Sequence, residues 1–252
     1  MQVGTLPAVA TGSGETGSDR LYFRQLLSGR DFATDDQVAA QMVNFVYLIG
    51  DRAAGEAVVI DPAYRPGEIL DIAAGDGMTV VGALATHYHP DHIGGSMMGI
   101  TIPGIADLLE RQGMKVHVQR PEAELVKKTA GVSDEDLAVH DPGDVVEVGD
   151  VEIELIHTPG HTPGSQCFLV RGSLVAGDTL FLEGCGRTDL PGSDAGQMYE
   201  SLQTLGQLPD DTVVFPGHKY SRHSSATLEI TRETNYVYKP SSREQWLTMF
   251  GQ

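Results

Sequence analysis

From Thr86 to His92 the chain reads THYHPDH, three imidazoles and a carboxylate in seven residues, directly after the apolar run MTVVGALA. A strand that ends this way crowds nitrogen and oxygen donors at one sheet edge, which divalent metal binding requires and packing does not. His87 and His89 stand two apart and can converge from a turn, while Asp91 and His92 follow on the same loop and can face a second ion. Three more polar residues take the same structural place. His161 lies in HTPGHTPGS after VEIELI, Asp178 in AGDTLF after SLVA, and His218 in PGHKY after TVVF. Strand ends on one edge share a crevice, where α/β folds assemble their sites. Five imidazoles and two carboxylates suffice for two four- or five-coordinate ions bridged by a carboxylate and a water. Gly and Pro flanks account for turns, but not for five imidazoles at strand ends.

The rest of the chain predicts the frame for those strand ends. NFVYLIGD, EAVVIDP, KVHVQ, DVVEVGDVEIELIHT, SQCFLV, SLVAGD and DTVVFPGH are short runs rich in Val and Ile, closed by Gly, Asp or Pro, and read as buried strands. PGEILDIAA, IADLLERQ, PEAELVKKTA and the stretch from Gln197 to Leu205 read as amphipathic helices between them. Strands and helices mingle without a linker, so an α/β fold is expected as one domain over 20–252 with two similar halves. Residues 1–19, rich in Gly, Ser and Thr, read as a flexible arm. A short helical extension from about 221 ends in REQWLTMF, with Trp246 as its packing anchor.

Composition limits the partners. The 252 residues carry 17 Lys and Arg against 35 Asp and Glu, a net charge of −18, which repels phosphate backbones and anionic lipid. Nucleic acid and membrane surfaces are therefore not expected as partners. The first residues lack a basic segment and the chain lacks an 18-residue apolar run, so neither a secretory signal nor a spanning helix is expected. Two cysteines, Cys167 and Cys185, make no disulfide framework, although one bridge is conceivable, and a reducing cytoplasm is the expected compartment.

With these residues in place, the chain resembles the metallo-β-lactamase superfamily. Its pattern of HxHxDH followed by His, Asp and His is met by His87, His89, Asp91, His92, His161, Asp178 and His218, over about 43–220. The resemblance implies a four-layer αββα sandwich with metal at one edge between two sheets. The zinc β-lactamases commonly carry Cys in place of that Asp and a different HxHxDH, so antibiotic hydrolysis ranks low. GDTLFLEGCGRTDLPG and PGHKY are similar to glyoxalase II, the hydroxyacylglutathione hydrolases. There a basic residue of the GCG(K/R) turn and the Tyr after the metal His bind the thiol, roles that map onto Arg187 and Tyr220. CGRTD is also similar to the persulfide dioxygenases, which use the same fold with a single iron.

The hydrolase reading ranks first because Leu190 to Tyr220 reads most like the broad hydrolase branch. It implies two zinc ions, one on His87, His89 and His161, the other on Asp91, His92 and His218, with Asp178 bridging. The shared water becomes hydroxide at neutral pH and attacks a thioester carbonyl, with Asp91 orienting it. The thiolate leaves without strong acid help. The dioxygenase reading implies one ferrous ion on His87, His161 and Asp178, with the other four residues in support. Lactone hydrolysis is a third reading. A non-catalytic binding role is a fourth, and it usually goes with broken ligand motifs, whereas all seven are intact here. A small acyl thiol is the expected partner, and apolar surface on the arm or last helix would suit a homodimer.

Other features read as structural. The Gly94 to Gly104 stretch, GGSMMGITIPG, reads as a loop forming a lid, an apolar substrate wall or packing for a helix. His117, His140, His157 and His223 have no partner at ligand spacing, and Arg222, Arg232 and Lys239 read as surface charge. Cys167 reads as an inert core residue. Cys185 reads as small enough for a tight turn, with reactivity as the alternative.

Overall fold

The computed structural model describes residues 20–251, so the 1–19 arm lies outside the described residues. The first strand is β1 (Leu21–Leu27), a half-buried edge strand not among those expected from the sequence. Asp36 then caps α1 (Gln37–Met42) by accepting from the Val38 and Ala39 amides. The expected apolar runs follow as β2 (Phe45–Asp51) and β3 (Glu56–Ile60). Pro66 opens α2 (Pro66–Gly75), and β4 (Thr79–Leu84) runs into the short helix α3 (Pro90–Ile93). After the β5 (Gly95–Met97) and β6 (Ile100–Ile102) hairpin come α4 (Ile105–Arg111), β7 (Lys115–Gln119), α5 (Ala123–Ala130) and β8 (Leu137–His140). The first sheet is ordered β1-β2-β3-β4-β7-β8, antiparallel from β1 to β3 and parallel beyond.

The second half builds β9 (Val145–Val148), β10 (Val151–His157), β11 (Gln166–Val170), β12 (Ser173–Gly177), α6 (Ala195–Leu205) and β13 (Val213–Pro216). Beyond Tyr220 the chain is not purely helical, since β14 (Ala226–Thr227) edges the sheet before α7 (Leu228–Thr234) and α8 (Arg243–Phe250). The second sheet is ordered β14-β13-β12-β11-β10-β9, and α6 makes the crossover between its parallel pair, β12 and β13.

Side-chain alternation explains the four layers. In β2, Phe45, Tyr47 and Ile49 face the second sheet and meet Leu155, Phe168 and Val175, while Val46 and Leu48 face the helices and meet Ile69 and Leu108. Both faces are covered, which is why the strand reads as an unbroken apolar run. On the far side of the second sheet, Cys167, Leu174 and Val214 pack on Met198, Leu202, Leu228 and Trp246. Each such fully buried large side chain contributes roughly 1.5–3 kcal/mol. The architecture is the αββα sandwich.

Trp246 is 1% exposed and donates its indole N–H to the Val237 carbonyl at 3.1 Å, anchoring α8. The Gly94–Gly104 stretch is a hairpin rather than a loop. Ile102 is buried, Met97 packs against the outer core, and Met98 stands 97% exposed at the tip. Both cysteines are free, so there is no bridge between them. Burial pushes the Cys167 thiol up to about 11 and the Cys185 thiol up to about 12, which leaves neither as a thiolate at neutral pH. Among the described residues no helix is long and apolar enough to cross a membrane.

Candidate metal centre

Both sheets deliver strand ends to one edge of the interface between them. His87 follows β4, α3 carries Asp91 and His92, His161 sits between β10 and β11, and Asp178 and His218 follow β12 and β13. The structure brings all seven together. Their donor atoms form the groups His87/His89/His161, Asp91/His92/His218 and His87/His92/Asp178, each within 4.8 Å. His89 Nδ1 lies 3.0 Å from both His87 Nε2 and His161 Nε2. His92 Nε2 and His218 Nε2 are 3.1 Å apart. Asp178 lies between the sets, with Oδ1 3.4 Å from His92 and Oδ2 3.4 Å from His218 and 3.8 Å from His161. A Cβ at Gly217 would stand 2.4 Å from Asp178 Oδ1, so a side chain there would displace the carboxylate.

Ring protons of these histidines are drawn away from the centre. The Thr86 hydroxyl donates to Asp61 Oδ2 at 2.6 Å, so it accepts from His87 Nδ1 at 2.9 Å. His92 Nδ1 donates to the same Asp61 oxygen at 2.9 Å, His161 Nδ1 to the Arg187 carbonyl at 2.8 Å, and His218 Nδ1 to the Met42 carbonyl at 2.8 Å. Four rings therefore spend their Nδ1–H outward and turn Nε2 inward, where His92 and His218 favour a positive charge, a cation or a proton. Lone pairs facing one another at 3.0–3.1 Å repel unless a cation or proton is held among them. Asp178 Oδ1 is buried and accepts no hydrogen bond among the described residues. The set of imidazoles and carboxylates fits a divalent ion such as zinc or iron.

The electrostatics divide the centre in two. Burial, then His92, His89 and His161, hold His87 well below its usual range, and burial with His161 and His92 lowers His89 to about 4. Those rings are neutral ligands at neutral pH. Burial opposes charge on His92 as well, but Asp91, Asp178 and Asp61 outweigh it and raise His92 to about 10. Burial likewise pushes Asp178 up, and His218 and His92 overcome that and hold it well below the carboxylate range.

Several residues at the site escaped the sequence reading. Asp61 accepts from the Thr86 amide at 2.8 Å as well as from Thr86 Oγ1 and His92. Its place at the end of EAVVIDP, a carboxylate closing an apolar strand, is the signal that also marks Asp178. Asn44 gave no such signal. It takes the Tyr64 hydroxyl on Oδ1 at 2.9 Å and donates Nδ2 to Asp91 Oδ2 at 3.2 Å. Asn235, in the C-terminal segment, donates to the Phe181 and Gly184 carbonyls and accepts from Gly184 N, bracing the turn beside the site.

A cavity of about 420 Å³ opens onto the donors, within the range of small-molecule sites. Tyr220 lines it, stacked on His218 with centroids 4.6 Å apart and edge-on to Phe181. Arg187 lines it too, but its exposed guanidinium is held in a two-bond pair by Asp189 at 2.8 Å. The remaining histidines differ from expectation in one respect. His117 and His140 do have partners, since His117 Nδ1 lies 2.8 Å from His140 Nε2 and His140 Nδ1 lies 3.1 Å from Asp144. His157 bonds the Pro163 carbonyl, and Arg232 bonds the Gly206 carbonyl and pairs with Asp210.

Residues 41–218 match the family described as the metallo-beta-lactamase superfamily. The chain is 36% identical over 193 residues to a hydroxyacylglutathione hydrolase of Rhodospirillum rubrum, covering 74% of this chain and 66% of that one. It is 32% identical over 202 residues to the human mitochondrial persulfide dioxygenase ETHE1, covering 76% and 70%. Among solved structures, ETHE1 from Myxococcus xanthus superposes with a TM-score of 0.74 at 29% identity, over 92% of this chain and 90% of that one.

Proposed function

The chain belongs to the metallo-β-lactamase superfamily, and from that premise we propose that it is a metal-dependent hydrolase that cleaves a thioester. In this reading His87, His89 and His161 would hold one zinc ion and Asp91, His92 and His218 a second, with Asp178 in reach of both sets. The observation that carries it is that the donors include two triads with no residue in common, His87/His89/His161 and Asp91/His92/His218, with Asp178 within 3.4–3.8 Å of members of both. Ions so held supply Lewis acidity toward a water and an acyl carbonyl.

The chain's own residues supply the remainder. Asp91, fixed by the Asn44 amide, orients the attacking water. Phe181 and Tyr220 wall the cavity that receives the acyl thiol. Partial desolvation at the cavity wall, with Asp178 and Asp91, pushes the half-exposed Tyr220 phenol further above its ordinary value, so it is a donor to the thiol moiety. Arg187, at the rim, adds charge for an anionic thiol once its Asp189 pair opens. The thiolate is a good leaving group and calls for no strong acid. A cytoplasmic setting goes with this reading.

A second reading, a persulfide dioxygenase with one ferrous ion on His87, His161 and Asp178, is favoured by the nearly end-to-end likeness to ETHE1. Elemental analysis of protein grown with both metals, followed by thioester and persulfide assays, separates the two. About two zinc per chain with thioester cleavage is expected. About one iron per chain, with oxygen uptake on a persulfide, would replace the first reading with the second.

A further inference from the structure

We infer that Glu122, outside the ligand set, is a positioning residue that fixes the distance between His89 and His161 by clamping the two loops that carry them. Glu122 closes the single helical turn Arg120–Glu122 between β7 and α5 and is 1% exposed. Its Oε1 accepts from the Tyr88 amide at 2.8 Å and the Thr162 hydroxyl at 2.7 Å, and its Oε2 accepts from the Gly164 amide at 2.7 Å. Tyr88 stands between His87 and His89, and Thr162 directly follows His161. One carboxylate thus joins a loop of the first sheet to a loop of the second. These are the loops whose rings meet at His89 Nδ1 and His161 Nε2, 3.0 Å apart.

A buried carboxylate is costly to desolvate, and an apolar side chain would serve packing better. Three donors offset that cost only while both loops stay where they are. The approach is close: a Cβ at Gly164 would stand 2.5 Å from Glu122 Cβ and 2.7 Å from Oε2. The other donor set is anchored elsewhere, His92 on Asp61, His218 on Met42 and Asp91 on Asn44. Glu122 touches none of those anchors, so its effect falls on the His87/His89/His161 set.

The inference rests on the two-metal reading of the cluster and not on the choice of substrate. It is tested by measuring Zn²⁺ affinity on the full, metal-stripped chain by competition with a chelating dye. Glu122→Ala should weaken one of two Zn²⁺ affinities by about 10–100-fold, the range for a lost outer partner, and leave the other unchanged. Glu122→Gln keeps the size and the Oε1 bonds but turns an amide N–H toward the Gly164 N–H, so it should fold and show an intermediate loss. Tyr22→Phe, which deletes a buried bond to Asp76 far from the loops, should lower the melting temperature and move neither affinity. Unchanged affinities in both Glu122 variants, or equal weakening at both sites, would overturn the inference. A wild-type chain that takes up fewer than two Zn²⁺ would instead overturn the two-metal reading beneath it.

Discussion

In the cluster of His87, His89 and His161 the ring nitrogens face each other at 3.0 Å, and in the His117 and His140 pair, on β7 and β8, they do so at 2.8 Å. The two places differ in where the protons go. Asp144 takes the His140 Nδ1 proton, which leaves His140 Nε2 to accept from His117, and the pair closes on itself as a relay of donors and acceptors. At the strand ends, Asp61 through Thr86 and the Arg187 carbonyl draw the protons of His87 and His161 outward, and bare lone pairs converge. Proximity of imidazoles is common to both. The outward anchors make the difference, and they belong to residues that ligate nothing.

The largest effect is expected where the shared carboxylate is removed. Asp178→Ala should abolish both metal retention and turnover, read by elemental analysis and by assay on the same sample; full activity in a metal-free variant would end the metal mechanism. Asp61→Asn attacks the anchors instead. Its amide has one acceptor oxygen for the two that Asp61 offers, so its NH2 must face either the Thr86 amide or the Thr86 hydroxyl and His92. Metal affinity should drop about 10–100-fold, whereas His140→Gln, in the self-satisfied pair, should leave metal content unchanged.

Acid sharpens the contrast further. Burial and then His140 hold His117 down at about 4. Between the ordinary value of 6.5 and about 4, the unfolded chain binds a proton that folded His117 does not. Stability from this group is therefore full above 6.5 and declines as pH falls through that window. In metal-loaded protein, His117→Gln should lose less melting temperature across it than wild type, by up to roughly 6–12 °C, equivalent to about 3 kcal/mol at this chain length. An identical acid slope in the two would remove His117 from the account. The smallest effect is expected at Arg187→Ala, which deletes an exposed guanidinium but keeps the carbonyl that anchors His161. Metal content should hold while KM for an anionic acyl thiol rises up to about 5-fold, the scale of an exposed ion pair.

How far the sequence could be read follows from which contacts are local. Apolar runs bounded by Gly, Asp and Pro marked β2, β3, β11 and β12, because strands buried on both faces leave a nearly uninterrupted apolar signature. By contrast, β10 shows strict alternation, with Glu152 and Glu154 exposed between Val151, Ile153 and Leu155. β1 was not legible, since LYFRQLL mixes polar residues with a half-buried edge pattern, and the β5–β6 hairpin has strands too short to show a period. At the site, ligand types repeated at strand ends could be seen residue by residue. Asn44, Glu122 and Asn235 could not, because each acts across 47, 34 to 42 and 51 to 54 residues of chain and carries no local pattern.

By itself the sequence determined the layered α/β frame and the seven donors, because hydrophobic period and residue type are written along the chain. Only the tertiary structure decided which ring nitrogen each histidine presents and which partner holds each ring. Those depend on acceptors such as the Met42 and Arg187 carbonyls, which every residue possesses and only folding places within 2.8 Å of a ring.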